Sequence, residues 1–384
     1  MKKQTALLSA IITLFWFAQY VYIPYQTPYL TALGIPASFV GIIIGAYGVT
    51  QMLLRLPVGV VADRARQHRI FIFTGALASA AASVFRLAMN NGAGYLIANL
   101  LSGAASAMWI SFMVLYLSYF DGAHQQQGTA KVLLYNSIGI FAAFLMGAVL
   151  YGPLGMTGMC ILSCAAGGAG AVLSLFLKCV EAPDDEKPSV SALLRTLKRK
   201  NLIFFALMTA VQQGIQMTTT MSFTNQIIRD LGASPFMLGL SSVIYMISSV
   251  ASSAFAATAL CRKKPPRFWI VTGFICVAAY CALVPFQRSI YAVFALQLLP
   301  GISTGILLSF LTSEALAGTD GCGRSTAMGF YQAVYAIGMT AFPMVTGKIA
   351  DASSIGIGYI VLAAVSVVSI ALTCIYYKRN GAVR

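Results

Sequence analysis

Long apolar segments alternate with short polar breaks along the whole chain of 384 residues. Many of these segments hold about 20 residues, the length that an α-helix needs to cross a hydrocarbon core. The strict alternation of apolar and polar positions that marks transmembrane β-strands is absent. The pattern therefore predicts twelve transmembrane helices, at 5–27, 38–61, 70–88, 94–117, 130–151, 156–178, 202–227, 236–260, 268–286, 290–313, 325–346 and 356–377.

The two halves of the chain resemble one another at a constant offset. Leu33-Gly34 recurs 198 residues later as Leu231-Gly232. The same offset relates Gly41 to Gly239, Tyr47 to Tyr245, Arg64 to Arg262, and Asn99-x-x-Ser102-Gly103 to Gln297-x-x-Pro300-Gly301. Such repeats are typical of secondary transporters, in which two homologous bundles surround the binding site. We therefore expect an all-α membrane protein with two pseudo-symmetric six-helix bundles at 1–180 and 202–384, joined by a polar cytoplasmic linker at 181–201.

Composition agrees with this class, because 59% of the residues are hydrophobic and only 9% are charged. A soluble protein carries about a quarter charged residues. The net charge of +15 would suit a nucleic-acid partner, but with both termini in the cytoplasm twenty of the 25 Lys and Arg fall on the inner side. That bias is the positive-inside rule and does not indicate nucleic-acid binding. Short outer loops and the lack of a eukaryotic targeting segment predict a location in the lipid bilayer of a bacterial inner (plasma) membrane.

Residue types that bind metals or catalyse reactions are scarce. The eight Cys lie mainly within helices or at their ends, and the only two His lie in predicted loops. The pairs Cys160 with Cys164 and Cys276 with Cys281 have no His nearby, so we interpret these thiols as small buried apolar groups. No Ser, His and Asp set, metal-binding spacing or phosphate loop is evident. The sequence predicts a protein that is not an enzyme and has no cofactor.

The segment Gly59-Val60-Val61-Ala62-Asp63-Arg64-Ala65-Arg66 closes the second predicted helix. It resembles the loop 2–3 signature of the major facilitator superfamily, G-x-x-x-D-R-x-G-R-R. Together with the twelve helices, the linker and the repeat, the resemblance covers essentially the whole chain. It implies a monomer with two six-helix bundles around a central cavity lined by helices 1, 4, 7 and 10. The chain departs from the pattern at Arg66, where the family has Gly, and at Cys261, which takes the place of Asp63 in the second half.

Two further segments bear on one branch of that family, the drug–proton antiporters. That branch usually carries R-x-x-Q-G in helix 4, whereas this chain has Asn99-Leu100-Leu101-Ser102-Gly103 and lacks the Arg. Gly152-Pro153-Leu154-Gly155 echoes the branch motif G-P-x-x-G-G, but it falls at a helix end, where Gly-Pro is an ordinary turn. The resemblance therefore indicates the superfamily and not this branch.

The signature segment is expected to form an inner gate. Gly59 allows a neighbouring helix to approach closely, and Asp63 is placed to cap the N-terminus of a facing helix. Arg64 and Arg66 are expected to pair with a carboxylate, for which Asp121 after helix 4 is the nearest candidate. The alternative for the two arginines is that they only anchor the topology.

Uncharged polar residues cluster on several of the predicted helices. They are costly against lipid, so they are expected to face a cavity or another helix. Gln19, Tyr22 and Gln26 share one face of helix 1, because they are spaced by three and four residues. The alternative for each is hydrogen bonding between helices without solute contact. The predicted solute-binding residues are Gln19, Tyr22, Gln26, Arg55, Trp109, Met113, Tyr135, Gln212, Gln216, Thr219, Tyr331 and Tyr335.

Charged residues are nearly absent from the interior of the predicted helices. No Asp or Glu lies deep in a span, and Glu314, at the inner end of helix 10, is the nearest. Glu314 is therefore the candidate for proton coupling, with a structural role at a helix interface as the alternative. Arg55, within helix 2, would bind an anionic solute, pair with a carboxylate or extend to the inner interface. Arg86, near the outer end of helix 3, is expected to extend to the outer interface.

These observations predict a secondary transporter that moves a small organic solute by alternating access through a central cavity. One alternative is a proton-coupled efflux pump for drugs or amphiphiles, which would suit walls rich in Tyr and Met. A cationic drug would, however, favour a carboxylate in the cavity, and none is found there. A non-transporting receptor or scaffold on the same fold is the second alternative.

Overall fold

A computed structural model describes residues 2–65, 67–120, 125–178, 199–258, 260–318 and 321–380. The chain is almost entirely helical over these ranges, and no strand occurs in them. We number the long helices α1 to α12 in chain order. In the first half, α1 comprises Lys2–Tyr20 and Ile23–Ala32, α2 is Ala37–Ala65, α3 is His68–Ala88, α4 comprises Gly92–Ala107 and Trp109–Leu117, and α5 and α6 together form Gln125–Ser174.

The second half repeats this arrangement. Helix α7 comprises Lys200–Thr218, the π-helical turn Thr219–Phe223 and Thr224–Asp230, α8 is Pro235–Ala256, α9 is Pro266–Leu283, α10 comprises Ile290–Leu296 and Leu298–Leu316, α11 is Gly321–Ala352, and α12 is Ile355–Asn380. Short 3₁₀ turns follow α8 at Cys261–Lys263 and α9 at Val284–Phe286.

The described helices are consistent with twelve membrane crossings. Ten segments are long and apolar enough to cross a membrane. One of them, Gln127–Ser174, holds both α5 and α6, which are separated at Gly155. The φ of Gly155 is 60°, a left-handed conformation that Gly adopts without a steric penalty. Helix α7 is not among the ten, since glutamines and threonines interrupt its apolar sequence.

Several helices extend further than their apolar segments predict. Helix α1 runs from residue 2 to residue 32 instead of 5–27, and α11 runs from 321 to 352 instead of 325–346. The extra turns are more polar, because backbone hydrogen bonding continues past the hydrocarbon core while the need for apolar side chains ends there. Most of the predicted linker lies outside the described residues, and α7 begins at Lys200.

The internal repeat is visible in the packing of corresponding helices. Gly103 of α4 lies so close to the backbone of Tyr47 in α2 that no Cβ would fit between them. In the second half, a Cβ on Gly301 of α10 would lie 2.7 Å from the Tyr245 carbonyl oxygen in α8. The two glycines and the two tyrosines are each 198 positions apart. Each half therefore builds the same close helix pair from the same residue types.

Large apolar side chains cover the lateral surface of the molecule. Exposed examples come from many helices and include Leu53, Val149, Ile161, Val172, Phe176, Ile247 and Val367. An apolar surface of this extent marks contact with another apolar phase. In a chain of membrane-spanning helices that phase is the lipid bilayer.

The two halves meet where α2 packs on α11 and where α5 packs on α8. Gly41, Gly45 and Gly48 of α2 all face α11, and a Cβ on Gly45 would lie 2.6 Å from the Thr340 carbonyl oxygen. The contact continues to the end of the molecule opposite the two chain termini, which we call the far end. There, Asp351 of α11 accepts hydrogen bonds from the backbone of α2. The halves are therefore in close contact at the far end.

Candidate solute site

Side chains from both halves line a cavity between the two bundles, which we call the central cavity. Helices α1, α2 and α4 of the first half and α7 of the second half contribute to its wall. Its lining residues are Gln19, Tyr20, Tyr22, Ile23, Gln26, Ile44, Tyr47, Asn99, Met217 and Met221. The mixture of amide, tyrosine and thioether groups suits an organic solute with both apolar and polar parts.

The predicted stripe on α1 faces this cavity. Gln19, Tyr22 and Gln26 all line it, as their three- and four-residue spacing on one helical face allows. Gln19 Nε2 donates a hydrogen bond to the Ser102 carbonyl at 3.1 Å. The Oε1 atoms of Gln19 and Gln26 are buried and have no hydrogen-bond partner among the described residues. A buried acceptor left without a donor costs about 1–3 kcal/mol, so a solute donor that reached these two atoms would be bound favourably.

The side chain of Arg86 points into the protein, so the expectation that it extends to the membrane interface was wrong. It is only 2% exposed, and its Nη2 donates to the Tyr22 hydroxyl at 2.8 Å, to Asn99 Oδ1 at 2.9 Å and to Ser102 Oγ at 3.0 Å. Its Cζ also lies 3.8 Å from the centroid of the Tyr22 ring, close enough for a cation–π contact. These acceptors lie on α1 and α4, so the guanidinium is held inside the first half.

The side chain of Arg86 lies beside the position in helix 4 at which the drug–proton antiporter pattern has an Arg and this chain does not. Asn99 occupies the position at which the drug–proton antiporter pattern carries that Arg. In this chain, α3 brings the Arg86 guanidinium to Asn99 and Ser102, the two polar side chains of the segment. The first half thus has a buried positive charge beside α4, supplied by a different helix.

Arg55 forms a second buried link, between the two halves. It is 4% exposed, and its Nη1 donates to the Tyr335 hydroxyl of α11 at 2.6 Å. This burial contradicts the alternative in which Arg55 extends to the membrane interface. Within the described ranges, the Nε atom of Arg55 has no hydrogen-bond partner. Arg55 and Tyr335 therefore join α2 to α11, although neither lines the central cavity.

The predicted residues of α7 form hydrogen bonds with neighbouring helices. Gln212 Nε2 lies 3.3 Å from Thr304 Oγ1 of α10 and 3.3 Å from Gln216 Oε1. Gln216 Nε2 donates to the Tyr245 hydroxyl of α8 at 2.5 Å, and Thr219 Oγ1 donates to a carbonyl of its own helix. The cavity wall instead receives Met217 and Met221 from α7. Their four-residue spacing is the signal that the sequence offered for them.

Other predicted residues lie away from the cavity wall. Trp109 packs edge to face on Trp16, with 5.1 Å between ring centroids, in an apolar cluster that Met113 and Tyr135 flank. Tyr331 of α11 is buried and hydrogen-bonded to Thr209 at 2.8 Å and Thr312 at 2.9 Å. The structure therefore brings the α1 stripe together but separates it from these residues.

The coupling candidate Glu314 and the last turns of α2 lie at the end of the molecule opposite the far end. Glu314 Oε2 accepts a hydrogen bond from the Tyr377 hydroxyl of α12 at 3.0 Å, so Glu314 lies at a contact between α10 and α12. Gly59, Asp63 and Arg64 belong to the last turns of α2, where the structure describes the helix but not these side chains. Arg66 and Asp121 lie outside the described residues. The inner gate stays a prediction.

A contact between the two halves that the sequence analysis missed lies at the far end. Asp351 Oδ1 accepts from the Ala37 N–H and Oδ2 from the Ser38 N–H, both at 2.8 Å. Because α2 begins at Ala37, these N–H groups have no partner within the helix. The carboxylate therefore caps a helix of the other half. An acidic residue at the end of α11 and a helix start after Pro36 were the available signals.

The comparisons with known proteins agree with this architecture. The model of the Major Facilitator Superfamily matches residues 7–317 and 205–384. A solved structure of the nucleoside transporter NupG has a TM-score of 0.77 and 15% identity, covering 98% of this chain and 99% of that one. A mutant of NupG gives a TM-score of 0.79 at 14% identity, covering 97% and 99%.

A bacterial homologue of the human lysosomal transporter Spinster, in an inward-facing and occupied conformation, has a TM-score of 0.76 and 13% identity. It covers 99% of this chain and 96% of its own. At these identities the structures show the fold alone. No curated protein sequence matches the chain. The matched family model covers nearly the whole length, and the chain belongs to the Major Facilitator Superfamily as a membrane transporter.

Proposed function

We propose that this protein is a secondary transporter that binds a small polar organic solute in the central cavity and moves it by alternating access. The observation that carries the proposal is the cavity between the halves, lined by Gln19 and Gln26, whose buried amide oxygens have no donor in the described part of the chain. A solute that donates hydrogen bonds to Gln19 and Gln26 would satisfy both. Met217 and Met221 of α7 line the same cavity, so residues from each half would contact the same molecule. A carrier whose two halves rock around the solute requires such shared contacts.

The charges near the cavity favour solutes without a positive charge. Arg55 and Arg86 are buried, and no Asp or Glu lines the described part of the cavity wall. A cationic drug would meet repulsion from the two guanidinium groups with no carboxylate to offset it. This electrostatic argument weakens the alternative of an efflux pump for cationic drugs.

Among neutral solutes, nucleosides are the first to test. The fold is similar to that of a nucleoside transporter, and the cavity wall combines tyrosine rings with amide groups. Tyrosine rings stack on planar bases, and amides exchange hydrogen bonds with base edges and sugar hydroxyls. Other neutral ring compounds with hydroxyl groups would form the same kinds of contact with the cavity wall.

Alternating access requires the far-end contact between α2 and α11 to open. In the proposed orientation both termini lie in the cytoplasm of a bacterial cell, so the far end faces outward and is closed in this structure. Opening would break the Asp351 cap and separate the glycine face of α2 from α11. On the inner side, Asp63, Arg64, Arg66 and Asp121 are the proposed gate, and Glu314 is the proposed site of proton coupling.

The proposal is tested by reconstituting the purified protein in liposomes and measuring uptake of labelled uridine, glucose and glucuronate. The expected result is saturable uptake of at least one solute. Gly45→Val should block it by wedging α2 from α11. Gly168→Val on α6 is the matched control, because a Cβ there meets open space. If Gly45→Val transports as well as Gly168→Val and wild type, the two halves do not move as proposed.

A further inference from the structure

Arg86 donates hydrogen bonds to acceptor atoms of two residues on the wall of the central cavity. Its Nη2 donates to the Tyr22 hydroxyl and to Asn99 Oδ1, at 2.8 and 2.9 Å. Both residues line the central cavity, whereas Arg86 lies one side chain behind the wall. The guanidinium therefore acts on the cavity through these two groups.

The atoms left to a solute on this part of the wall are donors. Asn99 Oδ1 is taken by Arg86, and its Nδ2 gives one hydrogen to the Ile43 carbonyl at 2.8 Å, which leaves the second hydrogen. The Tyr22 hydroxyl accepts from Arg86, and its own proton has only a long contact of 3.4 Å with Ser102 Oγ as an alternative to a solute. A donor whose acceptor atom is bound to a cation is polarised and becomes a stronger donor. This part of the wall suits an acceptor-rich group.

The positive charge of Arg86 has no counter-charge in the described part of the chain. Its hydrogen bonds go to neutral oxygens only, and its Nε has no partner. Arg55, near the interface between the halves, also donates to a neutral oxygen. Arginine remains protonated in proteins, and a buried unpaired charge is unfavourable. An anion that enters the cavity would relieve this imbalance.

We propose that the transported solute is a small organic anion, with a carboxylate or phosphate group, that also carries hydroxyl groups. The anionic group lies against Tyr22 and Asn99, in the field of Arg86. The hydroxyl groups donate to Oε1 of Gln19 and Gln26, on the same wall. Arg86 is then a residue that determines charge specificity by acting through its neighbours. This inference rests on the proposed transport function and narrows its solute class.

The test compares solutes of one shape and three charges. The two series are glucuronate, glucose and glucosamine, and 4-hydroxybenzoate, 4-hydroxybenzamide and 4-hydroxybenzylamine. Binding to the protein in detergent is followed by thermal shift and titration, and uptake is measured in liposomes. Wild type is expected to bind the anion of at least one series about tenfold more tightly than its neutral member, with the cation weakest.

Variants separate charge specificity from a structural role. Arg86→Gln should abolish the preference for the anion over the neutral member, and Tyr22→Phe, which keeps the ring, should reduce it. Arg288→Gln, at an exposed arginine of the far end, should leave the preference unchanged. A purely structural role would weaken all three members of a series equally.

The proposal is overturned if wild type binds the neutral member as tightly as the anion in both series. It is also overturned if both Arg86→Gln and Tyr22→Phe fold and keep the wild-type preference. In either case, uptake of glucose or 4-hydroxybenzamide would leave the transport function standing and remove only the inferred anionic class. Failure of the transport function itself would appear as an absence of uptake of every solute.

Discussion

Asp351 at the end of α11 caps the first turn of α2 by accepting the Ser38 N–H at 2.8 Å. A helix N-terminus carries a partial positive charge, so a carboxylate there is more favourable than a neutral acceptor. The two residues belong to different halves of the molecule. The cap therefore stabilises the state in which the far end is closed, and the energy of this contact enters the equilibrium between the two access states.

Removing this cap should favour opening of the far end. Loss of an N-terminal cap costs about 1 kcal/mol, so Asp351→Ala is expected to raise the ratio of open to closed states about fivefold. The measurement is the labelling rate of Met217→Cys in the cavity by a membrane-impermeant thiol reagent added at the far end, with the other cysteines replaced.

Asp230→Ala is the control for the loss of a negative charge. Asp230 accepts a hydrogen bond from Gln226 within its own helix, so this contact does not link the two halves. Its labelling rate should match that of the parent protein. Equal rates for Asp351→Ala and Asp230→Ala would show that the cap does not influence access.

A side chain at Gly45 should separate α2 from α11. A Cβ there would lie 2.6 Å from the Thr340 carbonyl oxygen and 3.1 Å from two side-chain carbons of Met344. Overpacking of this kind costs about 1–3 kcal/mol. We expect Gly45→Val to lower the thermal midpoint and to increase far-end labelling, whereas Gly168→Val changes neither. An unchanged midpoint and labelling rate in Gly45→Val would contradict the close packing.

The unsatisfied amide of Gln26 should matter more for binding than for folding. Methionine is similar in size and removes a buried acceptor, so Gln26→Met is expected to leave stability unchanged or raise it by about 1 kcal/mol. Solute affinity should fall by about tenfold or more, because the solute loses a hydrogen-bond partner. Thermal unfolding with and without solute measures both quantities.

Gln287→Met serves as the comparison, since Gln287 lies in a loop and donates to the Leu283 carbonyl at 3.0 Å. It should not change affinity. A large loss of stability in Gln26→Met, without a change in affinity, would assign Gln26 a role in packing.

The Tyr335 hydroxyl should stabilise the contact between the halves. It accepts from Arg55 at 2.6 Å, so Tyr335→Phe leaves a buried guanidinium with one acceptor fewer. Hydrogen bonds to charged groups contribute about 1.5–3 kcal/mol, and a fall of this order in unfolding free energy is expected. Tyr291→Phe, at a residue 72% exposed, should have almost no effect. Chemical denaturation in detergent compares the two, and equal stabilities would show that Arg55 finds another partner.

Predictions from the sequence were most successful for features that depend on one helix alone. Helical spacing alone places Gln19, Tyr22 and Gln26 on one face, and hydropathy locates most of the spans. The direction of Arg86 was predicted wrongly because it depends on Tyr22, Asn99 and Ser102, which come from two other helices. Position near a helix end suggested the membrane interface, but hydrogen-bond acceptors within the bundle were closer.

The polar residues of α7 show the same limit. Gln212 and Gln216 have the spacing of a binding face, yet their partners lie on α8 and α10. Sequence identifies that such residues avoid lipid, but it does not distinguish a neighbouring helix from a cavity. The Asp351 cap could likewise not be predicted from the sequence, because it joins residues more than 300 positions apart.

The repeat is broken at the position of Arg86, so the two halves differ in buried charge. At the offset of 198 residues, the position of Arg86 corresponds to Val284, a buried apolar residue. Of these two corresponding positions, only the one in the first half carries a buried cation. A solute attracted by Arg86 would therefore stay bound to the first half while the second half moves relative to it. The two halves would then have different roles, one in holding the solute and the other in opening and closing access to it.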